Sequence, residues 1–149
     1  MVTIFDNLIS GKIKSWKVWE DDSFLAFLTP FPITPGFTIV IPKQNISDYV
    51  FSTNINFYTS YMVAVKEVAN ILEKAFNPRR VALIFEGTGV AYVHAKLIPL
   101  HGKLAGETGV WSTRKEYNEE NRGWLTTAEG PRMSDTQLDK IQLKIRGVQ

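Results

Sequence analysis

Apolar residues change their period several times along this chain, and each change marks an element. Residues 54–76 carry the clearest helical repeat. Phe57, Tyr61, Ala64, Val68, Ile71 and Ala75 recur at spacings of three and four, which places them on one helix face. Asn77-Pro78 stops that helix. A short helix is expected over residues 3–10, with Thr3 as its cap, Ile4 and Leu8 on one face, and Gly11 at its end. Ser134 and Gln137 form a capping-box pattern for a last helix over 135–146, with Leu138, Ile141 and Ile145 inward.

Other stretches read as strands. "WKVWEDD" and "FLAFLT" flank the turn Asp21-Asp22-Ser23 and form a hairpin. "TPFPITPG" then brings Pro30, Pro32 and Pro35 close together, which forbids a helix and makes a stiff loop. "FTIVIP" is β-branched and continuously apolar, as a central strand buried on both faces requires. "VALIF" reads as another buried strand and "YVHAKLI" as the next, joined by "EGTGVA" and ended by Pro99. Residues 103–132 are rich in Gly, Glu and Asn and read as a long irregular segment with Trp111 and Trp124 as anchors. No repeat or linker divides the chain. The expectation is a single α+β domain over 1–149: a core over about 3–101, then the irregular segment and the C-terminal helix within 103–146. Its centre is an antiparallel sheet of about five strands with helices packed against it.

Composition narrows the chemistry. The chain has 149 residues, 44% hydrophobic and 21% charged, which suits one soluble domain with a substantial core. There are no cysteines, so disulfides, thiolate metal sites and cysteine nucleophiles are excluded. Two histidines fall short of the three or four ligands of a tight zinc site, and no metal or other cofactor is expected. The net charge of +2 is small, and apart from Arg79-Arg80 the basic residues are scattered, so no nucleic-acid surface is expected. The opening residues lack the apolar core of a signal peptide, and no run approaches the ~18 apolar residues of a membrane span. A cytoplasmic location with no membrane contact is expected.

Both histidines, His94 and His101, fall within "YVHAKLIPLHG". In a strand over 92–98, Tyr92, His94 and Lys96 share one face, and Val93, Ala95 and Leu97 point to the other. The glycine-containing turn just before brings backbone N–H groups within reach of a phosphate. A neutral imidazole beside such a turn is a competent nucleophile toward phosphorus, and Lys96 supplies charge for phosphate oxygens. Taken alone, each residue has a plainer reading. A single His on a strand face is more often a satisfied structural residue, and most such turns bind nothing. Tyr92 and Lys96 are ordinary strand residues, and His101, past Pro99, is more readily a loop residue than a ligand.

The order of segments resembles the histidine triad (HIT) family of nucleotide hydrolases and transferases, in a divergent, bacterial-type form. "TIFDNLISGKI" is similar to that family's opening helix, and "KVWEDDSFLAFLTPFPITPGFTIVIPK" to its hairpin, proline loop and central strand. "YVHAKLIP" falls where the family carries His-x-His-x-His followed by apolar residues. The match covers roughly residues 3–101. The resemblance places the family's central, nucleophilic histidine on His94, its first histidine on Tyr92 and its third on Lys96. It places an acidic ribose-contacting residue on Thr29, further histidines on Phe37 and Asn45, and polar phosphate contacts on Thr88 and Gly89.

The resemblance implies a HIT-like fold and an enzyme acting at the α-phosphate of a nucleoside phosphate derivative. The substrate would be a dinucleoside polyphosphate or a nucleoside phosphoramidate, cleaved through a nucleotidyl-His94 intermediate. Ile4, Phe5, Phe27 and Phe37 would build the base slot. The backbone from Gly87 to Gly89, with Lys96, would hold the phosphate oxygens, and the Tyr92 phenol is placed to donate to the leaving oxygen. His101 is either an assistant to His94 or a bystander. No resident cofactor is implied. The implied assembly is a homodimer formed through the long helix and the strand after it. The alternative is a catalytically impaired nucleotide-binding module of the same fold, favoured by the changed first and third triad positions.

Overall fold

The computed structural model describes residues 1–110, 117, 119–121 and 130–149. Trp111 and Trp124 lie outside the described residues, as does much of the segment between 103 and 132.

Helix α1 spans Ile4–Ile9. Its N-terminus is closed by Thr3, whose hydroxyl accepts from the Asp6 N–H while the Asp6 carboxylate accepts from the Thr3 N–H. This capping box satisfies donors that the first turn leaves open. The inward face is Phe5, with Leu8 and Ile9 partly buried behind it. This corrects the pairing of Ile4 with Leu8, because Ile4 is 54% exposed.

Strands β1 (Trp16–Glu20), β2 (Phe24–Leu28), β3 (Thr38–Pro42), β4 (Val81–Ile84) and β5 (Ala95–Pro99) form one sheet in the order β1-β2-β3-β5-β4, with every neighbouring pair antiparallel. The β1–β2 turn is tied by Asp21, whose carboxylate accepts from the N–H groups of Ser23 and Phe24 at 2.8 and 2.6 Å. All five residues of β2 and of β3 are buried. Side-chain alternation divides them between two cores. Phe24, Ala26, Leu28, Val40, Ala95 and Leu97 face one side, while Leu25, Phe27, Ile39, Ile41 and Ile98 face the other.

The first side is covered by α2 (Ile55–Phe76) and α3 (Asp135–Arg146). Helix α2 begins at Asn54, whose side chain accepts from the Phe57 N–H, and ends at Asn77 in the left-handed region. It buries Tyr61, Ala64, Val65, Val68, Ile71, Leu72 and Ala75. Helix α3 buries Leu138 and Ile145, is capped by Ser134 with Gln137, and lies against β1. Helix α1 packs its Phe5 into the second side.

Two strands differ from their sequence reading. Strand β4 is not a buried strand. It lies at the sheet edge, with Val81, Ala82 and Ile84 half-buried and Leu83 exposed. An edge strand has a neighbour on one side only, so part of its apolar surface stays bare. The other difference is in β5, which begins at Ala95 rather than Tyr92. The alternation persists upstream, with Tyr92 in the second core and Val93 in the first, but the ladder does not.

The proline loop between β2 and β3 is fixed by close contacts. Gly36 has φ +83, and a Cβ there would lie 2.5 Å from the Phe76 ring, so only glycine suits both the backbone and the packing. Residues 130–133 close over this loop, with the N–H groups of Gly130 and Met133 donating to the carbonyls of Phe31 and Pro30.

Candidate active site

The backbone that carries His94 is held by three side chains and one loop. The Tyr61 hydroxyl donates to the Val40 carbonyl at 2.5 Å and accepts from the Ala95 N–H at 3.0 Å. It therefore stands between β3 and β5 at their last register pair, Val40 with Ala95. Beyond that point the chain leaves the ladder. The Val93 N–H donates instead to the Ser47 carbonyl, the Asn45 amide donates to the Ala91 carbonyl, and the Tyr92 hydroxyl donates to the Pro42 carbonyl at 2.7 Å. Residues 91–95 are thus braced by α2 and by the loop after β3.

His94 stands on this braced segment, 6% exposed, with its ring edge-on to Phe5 at 5.5 Å. Its Nδ1 lies 2.7 Å from the Tyr92 carbonyl oxygen. A carbonyl oxygen can only accept, so Nδ1 carries the proton and the lone pair is on Nε2. Burial lowers the pKa of His94 below the usual histidine value, and the Nδ1 bond opposes this in part. The neutral imidazole is the favoured form.

Tyr92 is fully buried, and burial pushes its phenol up to about 12. Its ring packs edge-on to Phe5 at 5.5 Å. Its proton already belongs to the Pro42 carbonyl, so donation to a leaving oxygen would require that bond to break.

Lys96 lies opposite Ile39 on β3 and Ile84 on β4. Its ammonium forms an ion pair with the Glu86 carboxylate, and both side chains are largely buried. Glu86 was not singled out from sequence. It sits two residues beyond Ile84, at the start of the glycine turn, and only the β4–β5 register reveals that it reaches Lys96. The turn itself has Gly87 and Gly89 at φ +69 and +87, with Thr88 exposed. A Cβ built on Gly87 would meet the Asp48 carbonyl oxygen at 3.4 Å and the Tyr49 ring at 3.7 Å. None of the backbone–backbone bonds of the described residues uses the N–H of Gly87, Thr88 or Gly89.

Phe5, Phe27 and Phe37 share one buried cluster with Tyr92, Ile39 and Ile98, whereas Ile4 is exposed and outside it. Thr29 is buried; its N–H donates to the Phe37 carbonyl and its hydroxyl oxygen accepts from the Phe31 N–H at 3.2 Å. His101 is far from His94. The whole of β5 lies between them, and five strand residues at ~3.3 Å each separate the two by roughly 16 Å or more. Its Nε2 lies 2.7 Å from the Pro35 carbonyl and its ring is edge-on to Phe76. It braces the proline loop, which corrects the idea that it reaches round to assist His94. Among the described residues, no three His, Asp or Glu side chains gather as metal ligands. No described helix is long and apolar enough to cross a membrane.

Comparison with known proteins bears on the family and the fold. The HIT domain family model matches residues 10–102. A curated Bacillus subtilis relative named Protein hit is 31% identical over 139 residues, covering 89% of this chain and 95% of its own. The crystal structure of a Hit-like protein from Bartonella henselae superposes with a TM-score of 0.72 at 26% identity, covering 99% of this chain and 96% of its own. A HIT family structure from Bacillus subtilis is 34% identical with a TM-score of 0.64, covering 76% and 84%. The chain belongs to the HIT family, whose members are generally nucleotide-binding hydrolases or transferases.

Proposed function

We propose that this chain is a nucleotide hydrolase or nucleotidyl transferase in which His94 attacks the α-phosphorus of a dinucleoside polyphosphate or nucleoside phosphoramidate. The observation that carries this reading is the tautomer of His94: Nδ1–H on the Tyr92 carbonyl, lone pair on Nε2. The Nε2 lone pair forms a bond to phosphorus as the bond from phosphorus to the leaving group breaks. The leaving group departs with the bonding pair and takes up a proton. Attack places positive charge on the ring, and the Tyr92 carbonyl, already bonded to Nδ1–H, stabilises it. Water then attacks the same phosphorus, the P–Nε2 bond breaks, and a nucleoside monophosphate is released. The turn from Gly87 to Gly89 supplies N–H groups for the non-bridging oxygens. The phenylalanine cluster, with Ile4 of the same helix as Phe5, takes the base, and Thr29 would contact the ribose.

One observation favours the second reading, a nucleotide-binding module. The Lys96 charge, the natural partner of the developing oxyanion, is already balanced by Glu86. Incubation with an adenosine phosphoramidate at mildly acidic pH, followed by intact-protein mass spectrometry, separates the two. A gain of one nucleotidyl mass that disappears in His94→Ala supports the enzyme. Nucleotide binding with neither adduct nor turnover supports the module.

We also propose a homodimer. The bare face of β4 and the adjoining side of α2 line a shallow apolar groove of about 550 Å³ that includes Tyr58, Met62, Val63, Val81 and Leu83.

A further inference from the structure

Tyr61 is the point at which a helix on one side of the sheet controls the backbone of the nucleophile on the other. Val40 and Ala95 are the last facing pair of the β3–β5 ladder. The Tyr61 hydroxyl joins them, accepting from the Ala95 N–H and donating to the Val40 carbonyl. Ala95 is the chain neighbour of His94 and the first residue of β5. The phenol itself has little freedom. Its ring stacks on Phe24 at 5.2 Å, meets Phe85 edge-on at 5.6 Å, and is flanked by Phe57 at 5.4 Å. It is 0% exposed. Burial raises its pKa, so it stays protonated and keeps both hydrogen bonds.

We infer that the Tyr61 hydroxyl is the positioning group of the nucleophile: by bridging the Val40 carbonyl and the Ala95 N–H at the end of the β3–β5 ladder, it sets where the His94 imidazole stands. This rests on the reading of His94 as nucleophile and deepens it. A hydroxyl both donates and accepts, so this bridge serves both backbone groups. Phenylalanine cannot do this. In Tyr61→Phe, either Ala95 shifts relative to Val40, or the two buried backbone groups lose the hydroxyl as a partner. Both outcomes displace or loosen the residue beside Ala95, and a misplacement of ~1 Å at a reacting group costs on the order of 10²-fold in rate.

The test compares Tyr61→Phe with Val68→Ala, a buried change on the same helix that touches no strand hydrogen bond. Both are assayed on a fluorogenic adenosine phosphoramidate, well below their melting temperatures. Tyr61→Phe should lose about 10- to 100-fold in kcat with KM changed by less than about threefold, while Val68→Ala keeps kcat within about twofold. The ring ¹⁵N signals of His94 give a readout independent of turnover. The parent should show Nδ1 protonated and Nε2 bare, and Tyr61→Phe should shift the tautomer balance or the ring pKa. A variant with parental kcat and parental ring signals overturns the inference. If the parent itself shows no turnover, the proposed activity fails, and the ring signals alone decide the role of Tyr61. If Tyr61→Phe does not fold, amide exchange of Ala95 in the parent decides it: protection equal to that of the ladder supports the link, and loop-like exchange overturns it.

Discussion

The Nδ1 atom of His94 lies 2.7 Å from the carbonyl oxygen of Tyr92, two residues earlier in the chain. The contact belongs to the backbone of residue 92, not to its side chain. The contact therefore does not depend on which side chain residue 92 carries, and a tyrosine there leaves the imidazole its anchor. Replacing His94 removes the lone pair but leaves the phenylalanine cluster and the glycine turn. We expect His94→Ala to abolish turnover and to change nucleoside monophosphate affinity by less than about tenfold, or ~1.4 kcal/mol. Calorimetric titration with adenosine monophosphate, beside a rate assay, checks both halves. A variant that keeps its full rate would falsify the mechanism.

Burial of His94 also makes a statement about stability. Its folded-state pKa is lowered, first by desolvation. The unfolded chain therefore binds a proton more readily than the folded one. The stabilising contribution is fully present above the unfolded value of ~6.5 and is lost as the pH falls through the lower, folded-state value. Guanidinium unfolding between pH 5 and 8 should show the parent losing stability toward the acid end, with a shallower dependence in His94→Asn. Equal slopes for both proteins would place the acid sensitivity elsewhere.

The buried Glu86–Lys96 pair changes how a lysine variant is to be interpreted. Lys96→Met leaves a buried carboxylate without its cation, a loss of about 3–5 kcal/mol in typical cases. Pairing it with Glu86→Gln should restore most of that stability. If Lys96 also bears on phosphate, the stable double variant should still turn over roughly 10²-fold more slowly than the parent. A double variant with the parental rate would leave the pair a purely structural role.

For assembly, the decisive feature is an exposed edge. Leu83 on β4 is 38% exposed and Val63 on α2 is 63% exposed. A two-fold pairing of these faces would bury both and continue the sheet across two subunits. Sedimentation at low micromolar concentration should give a dimer for the parent and a monomer for Leu83→Arg. A monomeric parent would remove the basis for this interface.

What the amino-acid order determined by itself was local. The period of Phe57 through Ala75, the caps at Thr3 and Ser134, and the prolines between β2 and β3 act over a few residues, and each was legible without the fold. The alternation that puts His94 on the face opposite Val93 and Ala95 was legible for the same reason. Tertiary structure decided what depends on distant partners. Strand β4 became an edge because strand order is not encoded in periodicity, so its apolar run looked like a buried strand. Lys96 acquired Glu86 through the register of two strands joined by a glycine turn. The Ala95 N–H at the start of β5 meets a phenol 34 residues earlier. Hydrogen bonds of that kind form only once α2 has docked on the sheet. Spacing along the chain reports which face a side chain takes, but only packing decides which backbone group it meets there.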